Sequence, residues 1–192
     1  PDQGTADRYL HHLFDARDFP GLMRWMANGT LPHTLISRAW SAAENETHDE
    51  AMLDAFAEHV VQHYVTLGSY RHPDAERAFA RLRNAPDATR RAWAEVTQAE
   101  GAVLRGAFEE ATERLNAAPD VDDARLQAEA ALLRASEARW RGNLEEAVQH
   151  VEEGARPQVE RLDLSHAQNA LTRSKLAVWA GLIQKDRGLA ER

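Results

Sequence analysis

A seven-residue segment occurs twice in this chain, 36 positions apart. Arg105-Gly106-Ala107-Phe108-Glu109-Glu110-Ala111 returns as Arg141-Gly142-Asn143-Leu144-Glu145-Glu146-Ala147. Five of the seven positions are identical, and Phe108 against Leu144 exchanges one large apolar residue for another. The agreement spreads outwards: Leu104 matches Trp140, Ala102 matches Ala138, Val96 matches Leu132, and Leu115 matches Val151. A self-match at this period restricts the fold to one supersecondary unit used repeatedly. Each shared position has a physical role. The glycine suits a tight reversal with positive φ. The Phe or Leu two residues on opens a buried stripe. The paired glutamates fall in a helix's first turn, where the macrodipole favours negative charge. The alanine three residues further lets two helices approach closely.

The rest of the chain reads as helices punctuated by Pro and Gly. Alanine, arginine, leucine and glutamate, all strong helix formers, dominate; no stretch alternates as a strand would. Expected helices cover 6–16, a second from Pro20 to Met26, 32–43, 47–67, 73–83, 88–105, 107–117, 122–141, 144–153 and 164–186. Turns fall at Asn28-Gly29-Thr30, at Asn84-Ala85-Pro86-Asp87 and at Ala118-Pro119-Asp120. Thr47 with Glu50 forms a capping-box pattern, and Met52, Phe56, Val60 and Tyr64 stand four apart as one stripe. Gly154 to Pro157 reads as a break. Short connections make sequential helices antiparallel neighbours.

The Gly-x-[aromatic or Leu]-x-x-Ala junction resembles the tetratricopeptide repeat, a two-helix unit usually about 34 residues long. The resemblance implies an all-α solenoid of stacked antiparallel helix pairs. It places an irregular helical cap over 1–46 and repeats at about 47–85, 86–120, 121–157 and 158–192. Phe108 and Leu144 take the position that opens the second helix; Ala111 and Ala147 take its small packing position. The tryptophan–leucine pair of the family's first helix is absent: its places hold Glu95 and Gln98, then Ala131 and Arg134. In the family the first helices line a concave groove. By resemblance, Trp93, Glu100, Glu129, Ser136, Arg139 and Trp140 are the partner-binding candidates.

The chain contains 31 acidic residues against 23 Lys and Arg and no cysteine. The acidic surface disfavours direct nucleic-acid binding, and thiol chemistry and zinc–thiolate sites are excluded. No apolar run approaches the roughly 20 residues that span a bilayer. A cytoplasmic location is expected. Pro1-Asp2-Gln3-Gly4 carries no leader pattern, and both ends are expected to be cuts in a longer protein.

His59 and His63 share a helical face at i, i+4. Without further ligands they read as a solvated polar face, so no metal is expected. Arg71, Arg77, Arg81, Arg83, Arg90 and Arg91 cluster, and are read as a face balanced by neighbouring acids. Phosphate-cradling loops and nucleophile elbows are missing. The chain is therefore expected to be non-catalytic, to need no cofactor, and to bind a protein or peptide. The alternative expectation is the ligand- or partner-sensing repeat region of a larger bacterial regulator. Loose repeats with this Ala/Arg/Leu/Glu bias are similar to the repeat region of ATP-dependent LuxR-type transcription activators. That resemblance adds a small inducer as a second class of ligand.

Overall fold

The computed structural model describes residues 3–28 and 32–190, and all its regular structure is helical. It divides into two compact units, Pro1–Ala85 and Pro86–Arg192. The division falls within the turn expected at Asn84–Asp87. The turn expected at Asn28-Gly29-Thr30 lies outside the described residues beyond Asn28.

The first unit comprises α1 (Gln3–Asp15), α2 (Phe19–Asn28), α3 (His33–Glu46), α4 (Glu50–Thr66) and α5 (Pro73–Arg83). α4 is its centre, packed on α2, α3 and α5. Phe56, Val60 and Tyr64 of the expected stripe are buried. The Phe56 ring meets Trp40 edge-on at 5.9 Å and Phe19 at 6.0 Å. The segment read as a cap therefore shares one core with α4 and α5. The capping box at Thr47 is not formed. Asp49 caps α4, its Oδ1 accepting from the Met52 amide at 3.0 Å, while Thr47 ends α3 in an extended conformation. A carboxylate at the N-cap satisfies the same orphan amide and also gains from the helix dipole.

The second unit comprises α6 (Ala88–Leu104), α7 (Phe108–Ala117), α8 (Ala124–Trp140), α9 (Leu144–Gln149), a π-helical stretch (His150–Ala155), α10 (Arg156–Glu160) and α11 (Ala167–Ala190). α6 pairs with α7, and α8 pairs with α9 and the π stretch; α8 also packs on α6 and α11. Ala99, Ala102, Ala111, Ala135 and Ala147 are wholly buried. Small residues at these contacts allow close helix approach. Asp87 and Asp123 cap α6 and α8 through the amides of Thr89 and Leu126.

The repeated glycines perform one job. Gly106 and Gly142 have φ of 73° and 81°. The amide of Ala107 donates to the Ala102 carbonyl, and that of Asn143 to the Ala138 carbonyl, each at 2.9 Å. This is the Schellman closure, in which one left-handed residue satisfies the last carbonyls of a helix. The same closure recurs in the first unit at Gly68, where the Ser69 amide reaches Tyr64 at 2.8 Å, and at Arg17, where that of Asp18 reaches Leu13 at 2.9 Å. Arg17 adopts φ of 56° although it has a Cβ. Its guanidinium is held by both carboxylate oxygens of Glu46, at 2.6 and 2.9 Å.

The break expected at Gly154–Pro157 is instead a change of helix type. Pro157 has no amide hydrogen, and its ring crowds the carbonyl of the preceding turn. The chain widens there, the Arg156 amide donating to the Val151 carbonyl five residues back, and continues helical to Glu160. Gly154 lies against α8: a Cβ placed there would sit 2.9 Å from the Ala131 Cβ. The last helix begins at Ala167 and runs through Gly188, a position expected to lie beyond its end.

Candidate functional site

In the second unit, α6, α8 and α11 surround an apolar pocket of about 150 Å³. Val96, Glu100, Val103 and Leu104 line it from α6, Glu129, Leu132 and Leu133 from α8, and Lys175 and Trp179 from α11. Within each set the positions follow the i, i+3, i+4, i+7, i+8 pattern of one helical face. The ionic groups partner one another rather than the cavity. The Lys175 ammonium lies 2.8 Å from Glu100. The Thr172 hydroxyl donates to Glu129 at 2.9 Å, and Arg125 approaches the same carboxylate at 3.7 Å. The result is an apolar pocket edged by paired charges.

Two of the expected groove residues, Glu100 and Glu129, meet at this pocket. Arg139 and Trp140 are linked to it through Trp179. The Arg139 guanidinium lies 5.8 Å from the Trp140 ring centre and 5.9 Å from that of Trp179, and pairs with Asp186 at 2.5 Å. Trp140 is 63% exposed and leans on Phe108 with ring centres 6.2 Å apart. Its repeat equivalent, Leu104, is 71% exposed. These two side chains leave large apolar surface in water at matching ends of α6 and α8. Ser136 is placed differently: it is wholly buried, and its Oγ has no hydrogen-bond partner among the described residues. Trp93 is half-buried in the first turns of α6 and does not line the pocket.

Sequence reasoning missed Lys175, Thr172 and the inward role of Trp179. The available signal was that Gly181 stands seven residues before Gly188, as Ala99 stands before Gly106 and Ala135 before Gly142. Carrying that register back along α11 brings Lys175 and Trp179 alongside Glu129 and Leu133, both of which line the pocket.

A wider depression of about 570 Å³ lies where the turn after α7 meets α8 and the π stretch. Leu115, Leu126 and Ala130 line it, with Asp120, Arg134, His150 and Glu153 as its ionisable groups. One Arg134 nitrogen donates to the Leu115 carbonyl at 3.2 Å.

The first unit gathers aromatic and titratable groups around Tyr64. The buried Tyr64 hydroxyl donates to Asp74 at 3.0 Å, and its ring stacks on His72 at 4.1 Å. His33 Nδ1 and His63 Nε2 are 3.2 Å apart, so one donates while the other accepts. The expected arginine face is largely engaged. Arg77 pairs with Asp74 and Glu44, and Arg81 with Asp54 and Glu50. No group of three or more His, Asp or Glu is arranged to hold a metal among the described residues. No helix of the described residues is long and apolar enough to cross a membrane.

Burial, then the neighbouring His33 and His72, hold the His63 pKa below its ordinary value of 6.5. Burial likewise lowers His59, against the opposing charge of Glu58. A histidine whose folded pKa is depressed takes up protons preferentially when unfolded. Stability is therefore complete above about pH 6.5 and declines as the pH falls below it. The urea midpoint is expected to drop between pH 7.5 and pH 5, and less so in His63→Gln. An identical drop in that variant would assign the acid sensitivity to other groups.

Comparison with protein-family models, curated proteins and solved structures finds no match to this chain.

Proposed function

We propose that the second unit is a non-catalytic binding module that captures a partner peptide on the surface shared by α6, α8 and α11. The observation that carries this is the pocket of about 150 Å³ beside the exposed Leu104 and Trp140. An apolar cavity of about that size accommodates one aromatic ring, and pockets that engulf a whole small molecule are roughly 300–1,000 Å³. The pocket suits one anchoring side chain, Leu or Phe, of an extended peptide. Trp140 and the Arg139–Asp186 pair would contact the flanking backbone and polar groups.

The pairing of α6 with α7 and of α8 with α9, closed by the same glycine turn, supports reading these helices as tetratricopeptide-like repeats of an α-solenoid. In that reading α6, α8 and α11 are the first helices of successive pairs, and their shared surface is the concave one.

Selection from a random-peptide display library tests the proposal. Selected peptides are expected to carry a Leu or Phe anchor. Their affinity should fall at least roughly tenfold in Leu104→Asp, because burying such a side chain contributes about 1.5–3 kcal/mol. Leu104 is 71% exposed, so the fold should tolerate the change. Peptides that bind Leu104→Asp as tightly as the parent would place the interaction elsewhere.

The 570 Å³ depression favours a second reading, in which a small inducer binds and the chain is the sensing part of a larger transcription regulator. Its size falls within the range of small-molecule sites. A compound that raises the melting temperature of the parent but not of Arg134→Ala would support this reading over the peptide one.

A further inference from the structure

α11 carries mostly small and apolar residues on two opposite sides, and only one is covered. Thr172, Leu176 and Ile183 are buried, with Trp179 on the same side. At 3.6 residues per turn the opposite side carries Ala170, Ser174, Ala177 and Gly181, flanked by Leu171 and Val178. Leu171 is 57% exposed and Val178 59%. A helix that faces water on one side normally carries polar residues there, and one apolar all round is normally enclosed.

The same unit shows what encloses such a helix. α8 has buried residues around its whole circumference, from Leu126 and Ala128 to Glu137 and Ala138. It is packed on α6, α9, α10 and α11 and on the π stretch. Ala99 and Ala135, matched to Gly181 along the chain, are wholly buried. Gly181 is exposed, and a Cβ placed on it would meet nothing within 4 Å.

Charge specifies the occupant. Arg173, Ala177, Gly181 and Lys185 stand four apart, making a ridge of small residues with a cation at each end. Both cations are exposed, and neither makes an ion pair among the described residues. Beside Ala177 runs a groove of about 380 Å³ between α10 and α11, walled by Val159, Leu164 and Leu176, with Arg156, Glu160 and Arg173 as its charged side chains, two cations to one carboxylate. The helices this chain itself lays on its long helices are acidic at their start and open with a large apolar residue: Phe108 with Glu109 and Glu110, Leu144 with Glu145 and Glu146.

We infer that the open side of α11 docks an acidic amphipathic helix from a partner protein. Its backbone crosses at Ala177 and Gly181, its carboxylates reach Arg173 and Lys185, and one large apolar side chain enters the groove. This side faces away from Lys175 and Trp179, so the inference does not depend on the pocket.

The test uses the whole chain and a fluorescent helical peptide with the sequence Ala107–Ala118, followed by anisotropy. Binding is expected, weakened at least roughly tenfold by Gly181→Leu. That variant should melt no lower than the parent, since Gly181 has open space around it and leucine is the better helix former. Reversing the ridge with Arg173→Glu and Lys185→Glu should abolish binding, and a peptide with its three glutamates replaced by lysine should restore it. Three results would overturn the inference: a peptide that the parent does not bind, binding indifferent to Gly181→Leu, or parent chains that self-associate through Gly181 and exclude the peptide.

Discussion

Ala147→Trp is expected to unfold most of the second unit, whereas Glu145→Trp, two residues away on the exposed side of α9, is expected to melt like the parent. Ala147 is wholly buried, and α9 rests there directly on α8. An indole has no space at such a contact. Overpacking by even a few methylenes costs roughly 1–3 kcal/mol, and a tryptophan adds far more volume than that. For a unit of this size 1 kcal/mol lowers the melting temperature by about 4–8 °C. Loss of circular-dichroism ellipticity at least about 10 °C below the parent is therefore the expected result. If Ala147→Trp melted within about 2 °C of the parent, the packing assigned to the repeated alanine would be wrong.

In the first unit the largest effect is expected from Phe56→Ala. The ring is wholly buried and stands between Phe19 and Trp40. Removing a core phenylalanine costs about 3–5 kcal/mol, because neighbours only partly fill the hole. The tryptophan–phenylalanine edge contact is lost as well, and such pairs are worth about 0.5–1.5 kcal/mol beyond the burial. The near-ultraviolet dichroism of Trp40 should weaken along with the melting temperature. Met52→Ala, on the same expected stripe but half-buried, should cost clearly less. Equal effects from the two would mean that α4 is rotated from the orientation described.

The hairpins of the second unit were legible because the closing turn needs a residue the sequence displays. A left-handed residue followed by Phe or Leu is a local requirement, and Gly106 and Gly142 meet it openly. The turn at Arg17 uses the same geometry without glycine, so no residue there displays it. The capping residue before α4 was misplaced because Thr47 and Asp49 are both good caps, and only the path of the chain out of α3 selects between them. Gly154 and Pro157 carried the composition of a break, yet tertiary contact with Ala131 and a widened turn keep the helix going. At the pocket, Glu100 and Glu129 come from neighbouring long helices, but the 36-residue register maps them onto Ser136 and Trp93, which do not line it. From α8 to α11 the spacing lengthens, Glu129 meeting Thr172 and Arg139 meeting Asp186, so the α11 contributions were hidden. Ser136 stands one repeat after Glu100 but is turned into the core, because α8 is enclosed on more sides than a groove helix would be.

The four Schellman turns also bear on how quickly this chain can fold. Each reverses the chain using hydrogen bonds that span only five residues, such as Asp18 to Leu13 and Ala107 to Ala102. Helix partners such as α6 and α7, or α8 and α9, then meet after a turn of three residues. Loop-closure entropy for such contacts is small, and proteins dominated by local contacts fold in roughly microseconds to milliseconds. Each hairpin can form before more distant parts of the chain arrive, which leaves apolar helix faces exposed only briefly. Arg17 is the exception: its turn must hold a side chain in the left-handed region, and the Glu46 that steadies it arrives from α3, two helices later. That reversal is the one expected to form last within its unit.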